Sequence, residues 1–147
     1  EPGRFISGNS GVLVTRVEYV KRTGKKNFVI VDAAMNDLIR PAFYDSYHEI
    51  VPVRKMKGAS ISSDVVGPIC ESGDFFAKER RMPPLKRGDL VCVFSAGAYG
   101  YAMASNYNSH PRPCEVMVGG KEAKVVTERE SMDHLLRNEK VVSFSLT

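Results

Sequence analysis

Residues 11–20 form a run rich in β-branched side chains whose second half alternates apolar and polar. Residues 21–26 then supply a Gly-containing turn, and residues 27–32 return as a second apolar run. An alternation of period two puts one set of side chains on one face of an extended strand, and a short turn between two such runs closes an antiparallel hairpin. A hairpin alone buries too little surface, so further strands must complete the sheet. Candidates lie at residues 48–53, 60–69, 89–95, 114–118 and 121–127, the last two joined by Gly119-Gly120, a two-residue hairpin signal. Helical signals are shorter. Residues 37–44 carry one or two turns, 74–81 and 100–105 one more segment each, and 131–138 a last one with Ser131 as N-cap ahead of Met132, Leu135 and Leu136. No internal repeat or low-complexity segment interrupts this order. Many short strands separated by turn signals predict a mainly β, closed or sandwich-like domain with a few short helices.

The chain has 147 residues, the length of one domain, and its 43% hydrophobic content suffices for a core and argues against disorder. Twenty-one basic against 17 acidic residues give a net charge of +4, which suits an anionic ligand. The basic clusters, at residues 78–81 and at Lys86-Arg87, are short and flanked by acids or by Pro83-Pro84, so they read as solvated loops rather than a nucleic-acid surface. No apolar run approaches the ~20 residues of a membrane span, and no signal peptide is visible. Three cysteines, Cys70, Cys92 and Cys114, show neither a disulfide framework nor the Cys/His spacing of a metal site, and predict a reducing cytoplasm, or a plastid in a plant. Cys92 lies in the apolar run 90–94 and reads as core, and Cys114 after Pro113 reads as equally inert. His48, His110 and His134 pair with no nucleophile and read as surface or structural residues. Asp74 and Asp89 read as turn or cap residues. The start at Glu1, without Met, predicts a piece of a longer protein.

Four segments carry candidate chemistry. Pro68-Ile69-Cys70-Glu71-Ser72-Gly73-Asp74 puts a thiol beside a carboxylate in a turn bounded by Pro and Gly, where side chains can face a ligand. Glu1-Pro2-Gly3-Arg4 reads as a surface turn or as an anion-facing one, with a glycine amide open to close approach and a guanidinium offering planar donors. In residues 32–41, Arg40 stands between Ile39 and Pro41, an apolar setting in which its charge needs a partner. That partner is Asp37 or Asp45 in an internal salt bridge, or an anionic ligand; Pro41 reads as a helix stop. Ser95-Ala96-Gly97-Ala98-Tyr99-Gly100, followed by Ser105-Asn106-Tyr107-Asn108, surrounds Tyr99 with small residues, so its ring is core or closely approaches a ligand.

In order and spacing these segments resemble the C-terminal part of the diaminopimelate decarboxylase family, pyridoxal-phosphate enzymes of lysine formation, over residues 1 to about 126. The resemblance implies a mainly β fold, the C-terminal β-barrel domain of the alanine racemase/ornithine decarboxylase type, in residues 9–147 with a short C-terminal helix. Residues 1–8 would then be the end of an N-terminal (β/α)8 barrel whose remainder, with the Schiff-base lysine and most phosphate ligands, lies upstream. The resemblance implies a pyridoxal 5'-phosphate cofactor, an amino-acid substrate (meso-2,6-diaminopimelate), and a homodimer with shared active sites. No nucleic acid, membrane or metal is implied.

The roles implied are specific. Glu1 would pair with the pyridine nitrogen, Gly3 and Arg4 would meet the phosphate, and Tyr99 would touch cofactor and substrate together. Arg4, Arg40 and Tyr44 would grip the substrate's distal carboxylate and Glu71 its distal ammonium. Cys70 would be the catalytic acid, reaching with Glu71 into the neighbouring subunit's barrel. Phe5, where the family often has a small residue, and residues 128–147 depart from the pattern. The alternatives are a decarboxylase of another basic amino acid, such as ornithine or arginine, or a non-catalytic β-barrel module used for dimerisation. On its own the fragment is expected to be inactive.

Overall fold

A computed structural model describes residues 2–144. The chain divides into two units at Ala104/Ser105. The first holds a six-stranded sheet of β1 (Leu13–Arg22), β2 (Asn27–Val31), β3 (Ile50–Pro52), β4 (Ile61–Val66), β5 (Phe75–Met82) and β6 (Leu90–Val93), ordered β3-β6-β1-β2-β4-β5. It also carries two short helices, α1 (Pro2–Ser7) and α2 (Arg40–Tyr44). The β1–β2 hairpin forms as predicted, with Val20 opposite Val29 and the turn closed between Thr23 and Lys26. From β2 the chain crosses over through α2 and β3 to β4, and that long connection makes β2–β4 a parallel pair. The sheet curls strongly. Arg80 on edge strand β5 donates to the carbonyl of His48 at 2.8 Å, two residues before the opposite edge strand β3, so the two edges approach and the sheet is nearly closed.

Val17, Val29, Val31, Leu38, Ile50, Val65, Phe76, Met82, Val91 and Val93 are buried together as the core. Each such side chain contributes ~1.5–3 kcal/mol on leaving water. Cys92, expected in the core, is only half-buried, because Val91 and Val93 are the buried residues of β6 and Cys92 lies between them in the alternation.

The largest departure from the sequence pattern is β5, whose residues read as helix from local propensity. Lys78, Glu79, Arg80 and Arg81 do favour helix, but Phe76 and Met82 bury their side chains in the sheet and Glu79 turns into the left-handed region at φ 51°. The Asp64 carboxylate, buried on β4, accepts the Glu79 amide at 2.7 Å and the Lys26 ammonium at 3.0 Å, which fixes that irregularity in the ladder. Tertiary pairing overrides propensity here. Pro41 is a second correction: it does not end a helix but sits in the first turn of α2, where a backbone N–H would have no intrahelical partner.

The second unit contains the hairpin of β7 (Glu115–Gly119) and β8 (Glu122–Thr127), and α3 (Met132–Leu136). The hairpin turn falls on Gly120-Lys121 rather than Gly119-Gly120, with Gly120 at φ 59°. Ser131 caps α3 as expected, in a reciprocal exchange with His134, whose ring nitrogen accepts the Ser131 amide at 3.0 Å. Glu130 collects the Arg112 amide at 2.8 Å, the Asn106 amide group at 2.6 Å and the Arg112 guanidinium at 3.0 Å, bonds that hold its carboxyl below the ordinary range.

Candidate active site

Gly3 and Arg4 lie on α1, and both are exposed. A Cβ added at Gly3 would meet nothing within 4 Å, so the space beside that backbone is open. Glu1 lies outside the described residues. The segment after α1 is pressed against the loop that follows β6. Gly97 donates to the Gly8 carbonyl at 3.1 Å and Ala96 to that of Gly11 at 2.9 Å, while a Cβ on Gly97 would run into the Ser7 carbonyl. Only glycine permits this backbone-to-backbone contact. It fixes the Arg4-bearing helix relative to the loop that presents Tyr99, an exposed residue held at φ 62°. Left-handed backbone at a tyrosine is sparsely populated and persists where surrounding contacts impose it.

Arg40 opens α2 and is 9% exposed. Its guanidinium reaches Ser46 Oγ at 3.4 Å and its Cζ lies 5.4 Å from the Tyr99 ring centre, within cation–π range. Neither of the two carboxylates considered as internal partners forms an ion pair with it. Asp37 accepts the Ala34 amide at 2.9 Å and the Asn36 amide group at 3.1 Å, and Asp45 is the helix C-cap at φ 50°. Among the described residues no carboxylate forms an ion pair with Arg40. Tyr44, one turn further along α2, is exposed and meets Phe43 edge-on at 4.7 Å.

Cys70 and Glu71 occupy the turn between β4 and β5, both exposed. Glu71 Oε1 accepts the Gly73 amide at 3.1 Å, and the Glu71 amide donates to Ile69 O at 2.8 Å. The Cys70 sulfur has no hydrogen-bond partner among the described residues, in contrast to Cys114, whose sulfur accepts from Arg129 at 3.8 Å. The structure thus brings Arg40 and Tyr99 into contact and sets the Arg4 helix against the Tyr99 loop. Glu71 is not among the partners of Arg40.

His48, read from the sequence as a surface or structural residue, is structural and buried at 2% exposure. Its Nδ1 lies 2.8 Å from the Phe94 carbonyl, an acceptor, so Nδ1 carries the proton and Nε2 is left as a buried lone pair without a partner among the described residues. Burial pushes this imidazole below its ordinary pKa of 6.5, the Phe94 bond opposes that, and the charges of Arg40, Arg4 and Arg80 add to the lowering. Three arginines therefore act on one neutral ring. A depressed folded pKa means the unfolded chain takes up the proton first. The stability contribution is complete above pH 6.5 and is lost as pH falls through the folded value. Denaturant midpoints are expected to fall between about pH 7 and pH 5, and His48→Asn, which keeps a donor for Phe94, should flatten that slope. An unchanged slope would assign the pH dependence to other groups.

The sequence pattern described as the C-terminal sheet domain of pyridoxal-dependent decarboxylases matches residues 5–97. A diaminopimelate decarboxylase from Pseudomonas fluorescens is 53% identical over 142 residues, 97% of this chain and 34% of that protein. The crystal structure of diaminopimelate decarboxylase from Helicobacter pylori complexed with L-lysine superposes with a TM-score of 0.86 at 42% identity, over 92% of this chain and 33% of that one. A lysine/ornithine decarboxylase complexed with cadaverine, from Vibrio vulnificus, is less similar: TM-score 0.65 and 28% identity, over 71% of this chain and 28% of that one. The chain spans about a third of the length of the curated relatives it matches.

Proposed function

This chain belongs to the pyridoxal-dependent decarboxylases, as their C-terminal sheet domain, and on that premise we propose that it is the C-terminal part of an enzyme converting meso-2,6-diaminopimelate to L-lysine and CO2. The observation that carries the reading is Arg40, a guanidinium buried beside Tyr99 with no carboxylate of the described residues to neutralise it. A buried cation of this kind fits an anionic ligand. Diaminopimelate, unlike ornithine or arginine, brings a carboxylate at the end remote from the reaction. The weaker likeness to the lysine/ornithine decarboxylase supports the same choice.

In this reading residues 1–8 end an upstream (β/α)8 barrel and residues 9–147 form the C-terminal domain. The exposure of Phe5, at 89%, and of Ile6, Phe43 and Tyr47 supports faces that the barrel and a second subunit cover. Three free thiols support a reducing, cytoplasmic setting, and among the described residues no helix is long and apolar enough to cross a membrane.

The residues present fit one side of a pyridoxal phosphate site: open space at Gly3, an exposed guanidinium on Arg4 and an exposed Tyr99 ring. When bound, pyridoxal phosphate supplies an electron sink for the pair left behind by the departing carboxylate. Gly3 and Arg4 would hold the phosphate, and Glu1, outside the described residues, would pair with the ring nitrogen. Arg40, with Arg4 and Tyr44, orients the distal carboxylate of the substrate, Glu71 holds the distal ammonium, and Tyr99 touches substrate and cofactor. The bond from the α-carbon to its carboxylate breaks, CO2 leaves, and the Cys70 S–H delivers the proton that takes its place; the thiolate is reprotonated from solvent. Cys70 and Glu71 act in the neighbouring subunit's barrel, so each site draws on two chains.

The full-length protein supplied with pyridoxal phosphate is expected to release CO2 and lysine from meso-diaminopimelate far faster than CO2 from ornithine or arginine. Preference for ornithine would favour the decarboxylases of other basic amino acids. The isolated chain is expected to bind the cofactor weakly, and a borohydride-stable adduct on one of its own lysines would defeat the assignment.

A further inference from the structure

Asp74 immediately precedes β5 and is 5% exposed, yet its carboxylate serves two separate backbone segments. Oδ2 accepts the Ile69 amide at 2.7 Å, immediately before Cys70. Oδ1 accepts the Met35 amide at 2.8 Å, in the segment that leads into α2 and Arg40. The backbone of Asp74 closes the same turn, donating to Glu71 O at 3.0 Å and accepting from Gly67 at 3.2 Å. Gly67 completes the seat, because a Cβ there would overlap the Asp74 carboxylate itself. One residue therefore grips both ends of the turn bearing Cys70 and Glu71 and ties that turn to the segment bearing Arg40 and Tyr44.

We propose that Asp74 is the positioning residue that sets the spacing between the Cys70–Glu71 turn and the Arg40 helix. This rests on the reading that both serve decarboxylation of diaminopimelate. A carboxylate between two amides satisfies both, whereas an amide side chain offers one acceptor and opposes a donor to the second amide. Asp74→Asn should release one of the two segments. Displacements of about 1 Å in a reacting site typically cost up to ~10²-fold in rate.

The test uses the full-length enzyme, with Asp64→Asn as a comparison because Asp64 is a similarly buried carboxylate whose bonds go to Lys26 and the Glu79 amide, neither of them in the proposed ligand set. Asp74→Asn is expected to lower kcat for diaminopimelate by about 10- to 100-fold. It should also change the rate at which iodoacetamide alkylates Cys70 and speed hydrogen exchange of peptides holding Met35 and Ile69. Asp64→Asn should lower the melting temperature while kcat and alkylation stay at wild-type values. If Asp74→Asn does not fold, Gly67→Ala displaces the same carboxylate without removing it and should give the same losses. A melting-temperature loss alone, with kcat, alkylation and exchange unchanged, overturns the proposal. Should Cys70→Ala keep full turnover, the catalytic reading of the thiol fails on its own, while exchange at Met35 and Ile69 still reports whether Asp74 joins the two segments.

Discussion

In the full-length enzyme, Cys70→Ala is expected to slow turnover by roughly 10²-fold or more while KM for diaminopimelate changes much less, the range that general acid catalysis typically supplies. The geometry separates this thiol from the other two. Cys70 is exposed on the β4–β5 turn with its sulfur unbonded among the described residues, whereas Cys92 is half-buried in β6, where desolvation raises its pKa, and the Cys114 sulfur is bonded to Arg129. Cys92→Ala is therefore the matched control, expected to leave turnover at its wild-type value. If Cys70→Ala also leaves it there, the proton comes from water or another group and Cys70 is a bystander in the turn.

A mixed dimer tests the same thiol in a second way. One chain carries Cys70→Ala and the other lacks the barrel lysine that binds the cofactor. If the β4–β5 turn of each chain completes its partner's site, such a dimer recovers activity in one of its two sites. Absence of recovery would confine each site to a single chain.

How far the sequence carries depends on the range of the interactions involved. The β1–β2 hairpin and the Ser131 cap are legible because alternation, turn and cap are settled between residues close in the chain. β5 is not, because its determinants are distant: Asp64 on β4 takes the Glu79 amide, and Phe76 and Met82 find their burial only once the sheet exists. A window around residues 74–81 contains good helix formers and none of those partners. The same holds at the candidate site. The motif residues are visible as types, but Asp74 looks like an ordinary turn acid until its second oxygen is seen to hold Met35, 39 residues away. His48 likewise looks idle until Phe94, 46 residues on, fixes its tautomer and three arginines act on its ring. The one local signal for it, a histidine two residues ahead of the apolar strand β3, is too common to distinguish a buried ring from a surface one.

Arg40→Ala is expected to lower the specificity constant for diaminopimelate by about two to three orders of magnitude, and that of substrates without a distal carboxylate hardly at all. The magnitude follows from the setting. Arg40 is buried, reaches Ser46 Oγ at 3.4 Å, has its Cζ 5.4 Å from the Tyr99 ring centre, and forms no ion pair with a carboxylate of the described residues. Truncating one partner of a desolvated charged pair typically costs ~2–5 kcal/mol, and each 1.4 kcal/mol is about tenfold. Arg40→Lys should recover only part of the loss, since an ammonium keeps the charge but not the planar pair of donors that matches a carboxylate. The measurement compares diaminopimelate with lysine and ornithine in wild type and both variants, after circular dichroism has shown that the sheet survives. An equal loss for every substrate would make Arg40 a structural residue that holds Tyr99 and the end of α2 in place. The case for diaminopimelate over the other basic amino acids would then lose its main physical support.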